Sequence, residues 1–160
     1  MTPPSPSPSR DPADYAFWLD ERTRYADIDS LGHVNNVAYA VYFEGARVEF
    51  IRQHGLWSVE AAHSMVAARV EIDYLREVRY PSTVRVGVRC TRVGTSSFVL
   101  DCAAFVDGEC VATCRSVQVR FDPRERRASA LPPADRERLL ASLREPDARG
   151  VVTGASAPRE

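Results

Sequence analysis

The stretch NNVAYAVYFEGARVEFIRQHG, from Asn35 to Gly55, decides the fold. It reads as one long helix over Val37 to His54. Asn35 or Asn36 offers a side-chain oxygen as N-cap, and Gly55 stands where a helix stops on left-handed backbone. Val37, Ala40, Val41, Val48 and Ile51 form one apolar stripe; Tyr39, Phe43, Ala46 and Phe50 form a second. Two stripes predict a helix covered on most sides, as when a sheet wraps around it. Glu44 and Arg47, three residues apart, can pair on the remaining face, as a helix-surface or an interface ion pair.

Downstream of the helix the apolar period changes to two. Val70, Ile72 and Tyr74 alternate with charges, and Val84, Val86, Val88 and Cys90 alternate with polar residues and Gly87. Phe98, Leu100, Cys102, Ala104 and Val106 follow, then Val117, Val119 and Phe121. Gly94-Thr95 and Asp107-Gly108 are hairpin signals between these runs. Upstream, Phe17 to Tyr25 reads as a first strand. The predicted order is strand, helix, then four antiparallel strands: an α+β domain with the helix on one face of the sheet.

The ends differ in composition from the middle. Residues 1–14 (MTPPSPSPSRDPAD) are rich in Pro and Ser and are expected to be a disordered tail. The domain is expected over 15–122, and residues 123–160 as a C-terminal extension. In that extension Ala134 to Leu143 forms a short helix and the rest is tail.

The chain has 160 residues, 44% of them hydrophobic, which suits one domain with a real core. Its net charge of −1 gives no basic excess, so neither nucleic acid nor an anionic membrane is an expected partner. All 21 basic residues are arginine, which excludes a Schiff-base lysine and a P-loop lysine. Cys90, Cys102, Cys110 and Cys114 contain no C-x-x-C pair and lie in strand-like runs, so they read as small buried apolar residues, not zinc ligands. The three histidines match no metal spacing, and a G-x-S-x-G elbow is lacking. With no signal-peptide pattern and no long apolar run, the expected location is the cytoplasm.

The densest polar segment lies just before the helix: Tyr25-Ala-Asp-Ile-Asp-Ser-Leu-Gly-His-Val-Asn-Asn-Val-Ala-Tyr39. Asp27 and Asp29, two apart, point the same way in an extended chain, and such closeness raises the pKa of one of them toward general-base work. Free N–H groups around Asn36 and Val37 favour negative charge, so a carbonyl oxygen held there is stabilised as it becomes an oxyanion. A carboxylate facing such donors is the minimum equipment for acyl transfer to water.

The run Asp29-x-x-x-His33-Val-Asn35-Asn36-x-x-Tyr39, followed by Glu44-x-x-Arg47, resembles the signature of the 4-hydroxybenzoyl-CoA thioesterase-like hotdog family. Ile72-Asp-Tyr74 and Gly94-Thr-Ser96-Ser97 fit it too, so the resemblance spans roughly Trp18 to Arg120. It implies a hotdog fold, an antiparallel sheet wrapped around one long central helix. It implies hydrolysis of acyl-CoA or acyl carrier protein thioesters, no metal or organic cofactor, and a homodimer or homotetramer paired edge to edge, with the substrate at the dimer interface. Asp29 matches the catalytic carboxylate, acting on water or attacking directly. The main-chain N–H of Asn36 matches the group that polarises the carbonyl. Some relatives carry histidine at the Asn36 position. His33 either orients the loop and bonds Asp29 or serves only the fold, and Asp27 is structural or tunes a pKa. Substrate-binding positions are expected at Val37, Tyr39, Ser96 and Ser97, with Tyr39 also packing at the interface. Arg76, Arg79 and Arg92 are candidates to meet CoA phosphates, or ordinary surface. A hydratase acting on enoyl or hydroxyacyl thioesters, and a non-catalytic acyl-thioester binding module, are the competing readings.

Overall fold

A computed structural model describes residues 6–58, 61–143 and 152–153. Its elements follow the predicted order: β1 (Phe17–Arg22), α1 (Asn36–Gln53), β2 (Ser64–Tyr74), β3 (Thr83–Val93), β4 (Ser97–Val106) and β5 (Glu109–Asp122). The short β6 (Arg127–Ala128), α2 (Pro133–Ser142) and β7 (Val152–Thr153) come after. The sheet runs β2-β5-β4-β3-β1-β7, with β6 on β5; every pairing is antiparallel except β1 with β7. This curled sheet with one long helix on its inner side is the hotdog fold, of class α+β. Asp107 and Gly108 both take positive φ (51° and 82°), the backbone a two-residue hairpin needs to continue the twist from β4 into β5.

The core lies between α1 and the sheet. Val84, Val86, Val88 and Cys90 of β3, with Phe98, Leu100, Cys102 and Ala104 of β4, face Phe43, Ala46 and Phe50 of α1. These residues form the second predicted stripe and its strand counterparts. The first stripe behaves differently. Ile51 is buried, but Val37, Val41 and Val48 are exposed, so a single copy covers only one side of the helix. Arg47 also departs from expectation. Glu44 stays in solvent, while Arg47 turns inward and its Nη1 donates to Cys114 Sγ at 3.7 Å.

The termini are more engaged than their composition suggests. Within residues 1–14, Pro12–Asp14 form a 3-10 turn capped by Asp11; Met1 to Ser5 lie outside the described residues. Tyr15 then lies over the outer face of the sheet beside Trp18 and Phe105, its hydroxyl donating to Ser9 O at 2.5 Å. Proline and serine made this segment look featureless, yet one aromatic anchor suffices to hold it. Beyond residue 122, Leu131 and Leu139 enter the same buried cluster as the strands, so packing does not break at 122. The tail expected after the short helix lies largely outside the described residues.

The helix direction fixes which parts of the sheet are close. Tyr74, at the end of β2, donates from its hydroxyl to Asn36 O at the start of α1 (3.2 Å). Near the far end of α1, Arg138 of α2 donates to Gly55 O at 2.8 Å, and Arg136 donates to Gly94 O in the β3–β4 turn.

Candidate active site

The site is assembled from the loop between β1 and α1. The chain leaves β1 and makes a 3-10 turn over Tyr25–Asp27. This turn breaks the extended geometry that would have aligned Asp27 with Asp29. The two carboxylates part: Asp27 is buried (3% exposed) and Asp29 is exposed.

Asp27 is a clamp. Its carboxylate accepts from Arg24 N–H (2.8 Å), from Arg24 Nη2 (2.7 Å) and from the Tyr42 hydroxyl (2.5 Å). Burial alone would raise its pKa, but the bonds from Arg24 and Tyr42 outweigh it and hold the carboxyl below its usual range. The same environment pushes the Tyr42 hydroxyl up, through burial first and then its bond to Asp27. The expectation of a raised carboxyl, from two like charges in proximity, therefore does not apply to Asp27: its nearest charge is a guanidinium.

The main chain carries the clamp forward. Asp27 O accepts both Asn35 N–H (2.8 Å) and Asn35 Nδ2 (2.7 Å). Asn35, not Asn36, is the N-cap: its Oδ1 accepts Ala38 N–H at 2.9 Å. That accounts for the third helical N–H. The first and second, on Asn36 and Val37, have no carbonyl four residues back to accept them. Between Asp27 and Asn35 the loop closes on itself through the Ile28–Val34 bridge. Asp29 Oδ1 accepts Leu31 N–H at 2.8 Å and His33 N–H at 3.4 Å, and the residue is exposed.

A cavity of about 400 Å³ opens at this helix start. Arg24, Asp27, Asn35, Asn36, Val37 and Val41 are among its walls. Of the predicted residues, Asn36 and Val37 therefore share one space. Asp29 and His33 sit on the adjoining loop and are not among the walls. The His33 imidazole turns away from Asp29 to Glu77, Nε2 to Oε2 at 3.0 Å, and only its main chain touches Asp29. Tyr39 is buried, stacked edge-on against Tyr74 at 5.5 Å, and donates to Arg76 O at 3.3 Å. Ser96 lies in the β3–β4 turn and Ser97 opens β4, against α2 and near the far end of α1, so within one copy they are not brought to the helix start.

The sequence reading missed Tyr42 and Arg24. The period of α1 did contain a signal for Tyr42, which is one turn beyond Ala38 on the side facing the loop. Its polar end marked it as a residue needing a partner once buried. Among the described residues, no group of three or more His, Cys, Asp or Glu side chains is positioned to hold a metal ion. Nor is any described helix long and apolar enough to cross a membrane.

A family model described as "Thioesterase-like superfamily" matches residues 23–140. Among solved structures, a thioesterase from Thermus thermophilus, complexed with coenzyme A and Zn, is 35% identical; the match covers 81% of this chain and 96% of that one, with a TM-score of 0.73. The PA5185 protein of Pseudomonas aeruginosa is 30% identical over 84% of this chain and 96% of its own, with a TM-score of 0.76. The uncharacterized protein YsmA of Bacillus subtilis (strain 168) is 28% identical over 127 residues, 79% of this chain and 86% of YsmA.

Proposed function

The chain belongs to the thioesterase-like superfamily, and on that premise we propose that it hydrolyses acyl-CoA thioesters with Asp29 as the attacking or activating carboxylate. One observation carries the reading: an exposed aspartate on a closed loop leads directly into two helix N–H groups, on Asn36 and Val37, that border a cavity. The coenzyme A bound to the Thermus thermophilus thioesterase supports CoA as the thiol.

The chemistry follows from charge. As a nucleophile meets the thioester carbon, the carbonyl oxygen becomes negative. The N–H groups of Asn36 and Val37, at the positive end of α1, stabilise that charge and need no rearrangement to do so. Removing such a donor typically costs about 100-fold or more in rate. Asp29 either takes a proton from water as the water attacks, or attacks itself. In the second case the thiolate leaves, an acyl-aspartyl anhydride forms, and water then cleaves it. Both routes consume one water and release a free acid and a thiol. Asp27, held ionised by Arg24 and Tyr42, is committed to structure and leaves Asp29 as the available base.

We further assign the working unit as at least a homodimer. β2 is an edge strand of the sheet, and Val66, Val70 and Tyr74 on it are exposed. Antiparallel pairing of β2 with its copy would bring the Ser96–Ser97 turn of each subunit toward the helix start of the other. That would reconcile these serines with a substrate-binding role and complete the cavity from two sides.

The test is hydrolysis of a panel of acyl-CoA and acyl carrier protein thioesters, followed by thiol release, with wild type, Asp29→Asn and Asp29→Ala. Asn can still accept from Leu31 and His33, so Asp29→Asn separates chemistry from loop shape. A fall of about 100-fold or more in kcat is expected for both variants, with Tm unchanged in Asp29→Asn and lowered in Asp29→Ala, which loses both bonds. Hydrolysis unaffected by either change would remove Asp29 from the mechanism.

A further inference from the structure

Three parts of the chain meet at Asp27. Its side chain accepts from Arg24, just beyond β1, and from the Tyr42 hydroxyl on the second turn of α1. Its carbonyl oxygen accepts the N–H and the side-chain Nδ2 of Asn35, the residue that caps α1. Asp27 and Asn35 thus form the base of the loop. Residues 28–34 rise from that base as a closed hairpin, in which Ile28 bridges Val34 and Asp29 N–H donates to His33 O at 2.9 Å. The return limb is anchored elsewhere as well, by Val34 N–H on Val78 O at 2.8 Å and by His33 on Glu77. The outgoing limb, which carries Asp29, is held from below by Asp27.

The groups assigned to the chemistry straddle this base. Asp29 lies two residues beyond Asp27 on one side, and the N–H groups of Asn36 and Val37 follow Asn35 directly on the other. The hairpin is closed on itself, so a shift of Asp27 against α1 shifts Asp29 against the two donors. At the helix start the loop joins α1 through one main-chain link, about which it could rock. The Tyr42 bond to Asp27 Oδ2, 2.5 Å long, is a second attachment farther along the helix. Both partners are buried, so water does not readily take the place of either. The Tyr42 ring is itself fixed edge-on against Tyr39, with centroids 6.3 Å apart.

We propose that Tyr42 is a positioning residue for hydrolysis: through Asp27, its hydroxyl sets the separation between the Asp29 carboxylate and the N–H groups of Asn36 and Val37. It rests on the role of Asp29 proposed above. Tyr42 acts through Asp27 and not on the reacting atoms. The separation matters because base and oxyanion donors must serve two adjacent atoms of one thioester at once. A misplacement of about 1 Å can cost about 100-fold in rate. Asp27 keeps its bonds from Arg24 when the hydroxyl is removed, so a smaller shift and a loss of about 10-fold in kcat are expected. Substrate affinity should hardly change, since the contacts of the thiol and acyl parts do not run through Tyr42.

The experiment is steady-state hydrolysis by wild type, Tyr42→Phe, Asp29→Asn and Ile51→Val, well below the Tm of each. The substrate is whichever of acetyl-, octanoyl- and benzoyl-CoA wild type cleaves fastest. Ile51 is buried toward the other end of α1, so Ile51→Val costs stability without touching the loop. Tyr42→Phe should lower kcat about 10-fold and leave KM within about 2-fold, whereas Ile51→Val should change neither. Amide exchange by NMR is the second readout. Asp29 and Asn35 N–H should exchange faster in Tyr42→Phe, while Leu56 N–H, bonded to Ile51 O past the helix end, should not. A wild-type kcat in Tyr42→Phe, with Asp29→Asn still crippled, would overturn this proposal alone. So would a kcat loss that Ile51→Val matches, or a rise in KM at constant kcat. Full activity of Asp29→Asn would overturn the role of Asp29, and this proposal with it.

Discussion

Replacing Tyr42 by phenylalanine removes one oxygen from the most tightly bonded part of the loop. The hydroxyl donates to Asp27 Oδ2 at 2.5 Å, and the carboxylate that receives it is 3% exposed. Water therefore cannot readily replace the donor. Depriving a buried charged acceptor of one bond costs about 1–3 kcal/mol. Asp27 keeps its bonds from Arg24, so the lower half of that range, about 1–2 kcal/mol, applies. Arg24 is 64% exposed, and its share of the clamp is discounted by solvent. Tyr39→Phe is the control, since its 3.3 Å bond to Arg76 O is long and joins two neutral groups; about 0.5 kcal/mol or less is expected. The pH dependence gives a second check. Asp27 has a folded pKa below its usual value, so its contribution is present above the unfolded pKa of about 4 and is lost as pH falls through the folded value. The penalty of Tyr42→Phe should thus be full at pH 7 and shrink below about pH 4. Urea unfolding at pH 7 and at low pH, at one protein concentration, measures both. A penalty at pH 7 no greater than that of Tyr39→Phe, or one that grows on acidification, would refute the clamp.

Asn35→Ala removes the cap of Ala38 and a bond to Asp27 O, and should lower stability by about 1–2 kcal/mol in the same unfolding assay. His33→Gln gives up a contact with Glu77, which is 70% exposed, so stability should change by no more than about 0.5 kcal/mol. Cys90 and Cys114 are buried with thiols pushed up to about 12 and about 11, and full burial raises Cys102 well above its usual value. At pH 8 a disulfide reagent should therefore label native protein first at the half-buried Cys110, and at the other three only after unfolding, as mass spectrometry of the labelled peptides would report.

The helix and strands were legible because their signals are local: a period of 3.6 or two, an asparagine before the helix, a glycine after it. Gly55 does take positive φ, 65°, at the helix stop. The loop was half legible. The residues Asp27, Asp29, Asn35 and Asn36 were visible, but their division of labour depends on Tyr42 and on a 3-10 turn that separates the two aspartates. Neither follows from the spacing of the aspartates alone. Arg47 was misjudged because helical spacing fixes an angle around the axis and not which of two faces lies toward the sheet. Ser96 and Ser97 were read from a family pattern, and within one copy they are not brought to the start of α1.

Leu139 of α2 is fully buried, and Leu131 nearly so, among residues from β3, β4 and α1. This helix is consequently a stopper for the interior and not an ornament on it. A polypeptide cut after Ala128 would retain every long strand and still leak water at one end. Supplying a peptide of residues 129–143 from outside should reseal it, which makes this junction a natural place to split the protein into two halves that report on their own reunion.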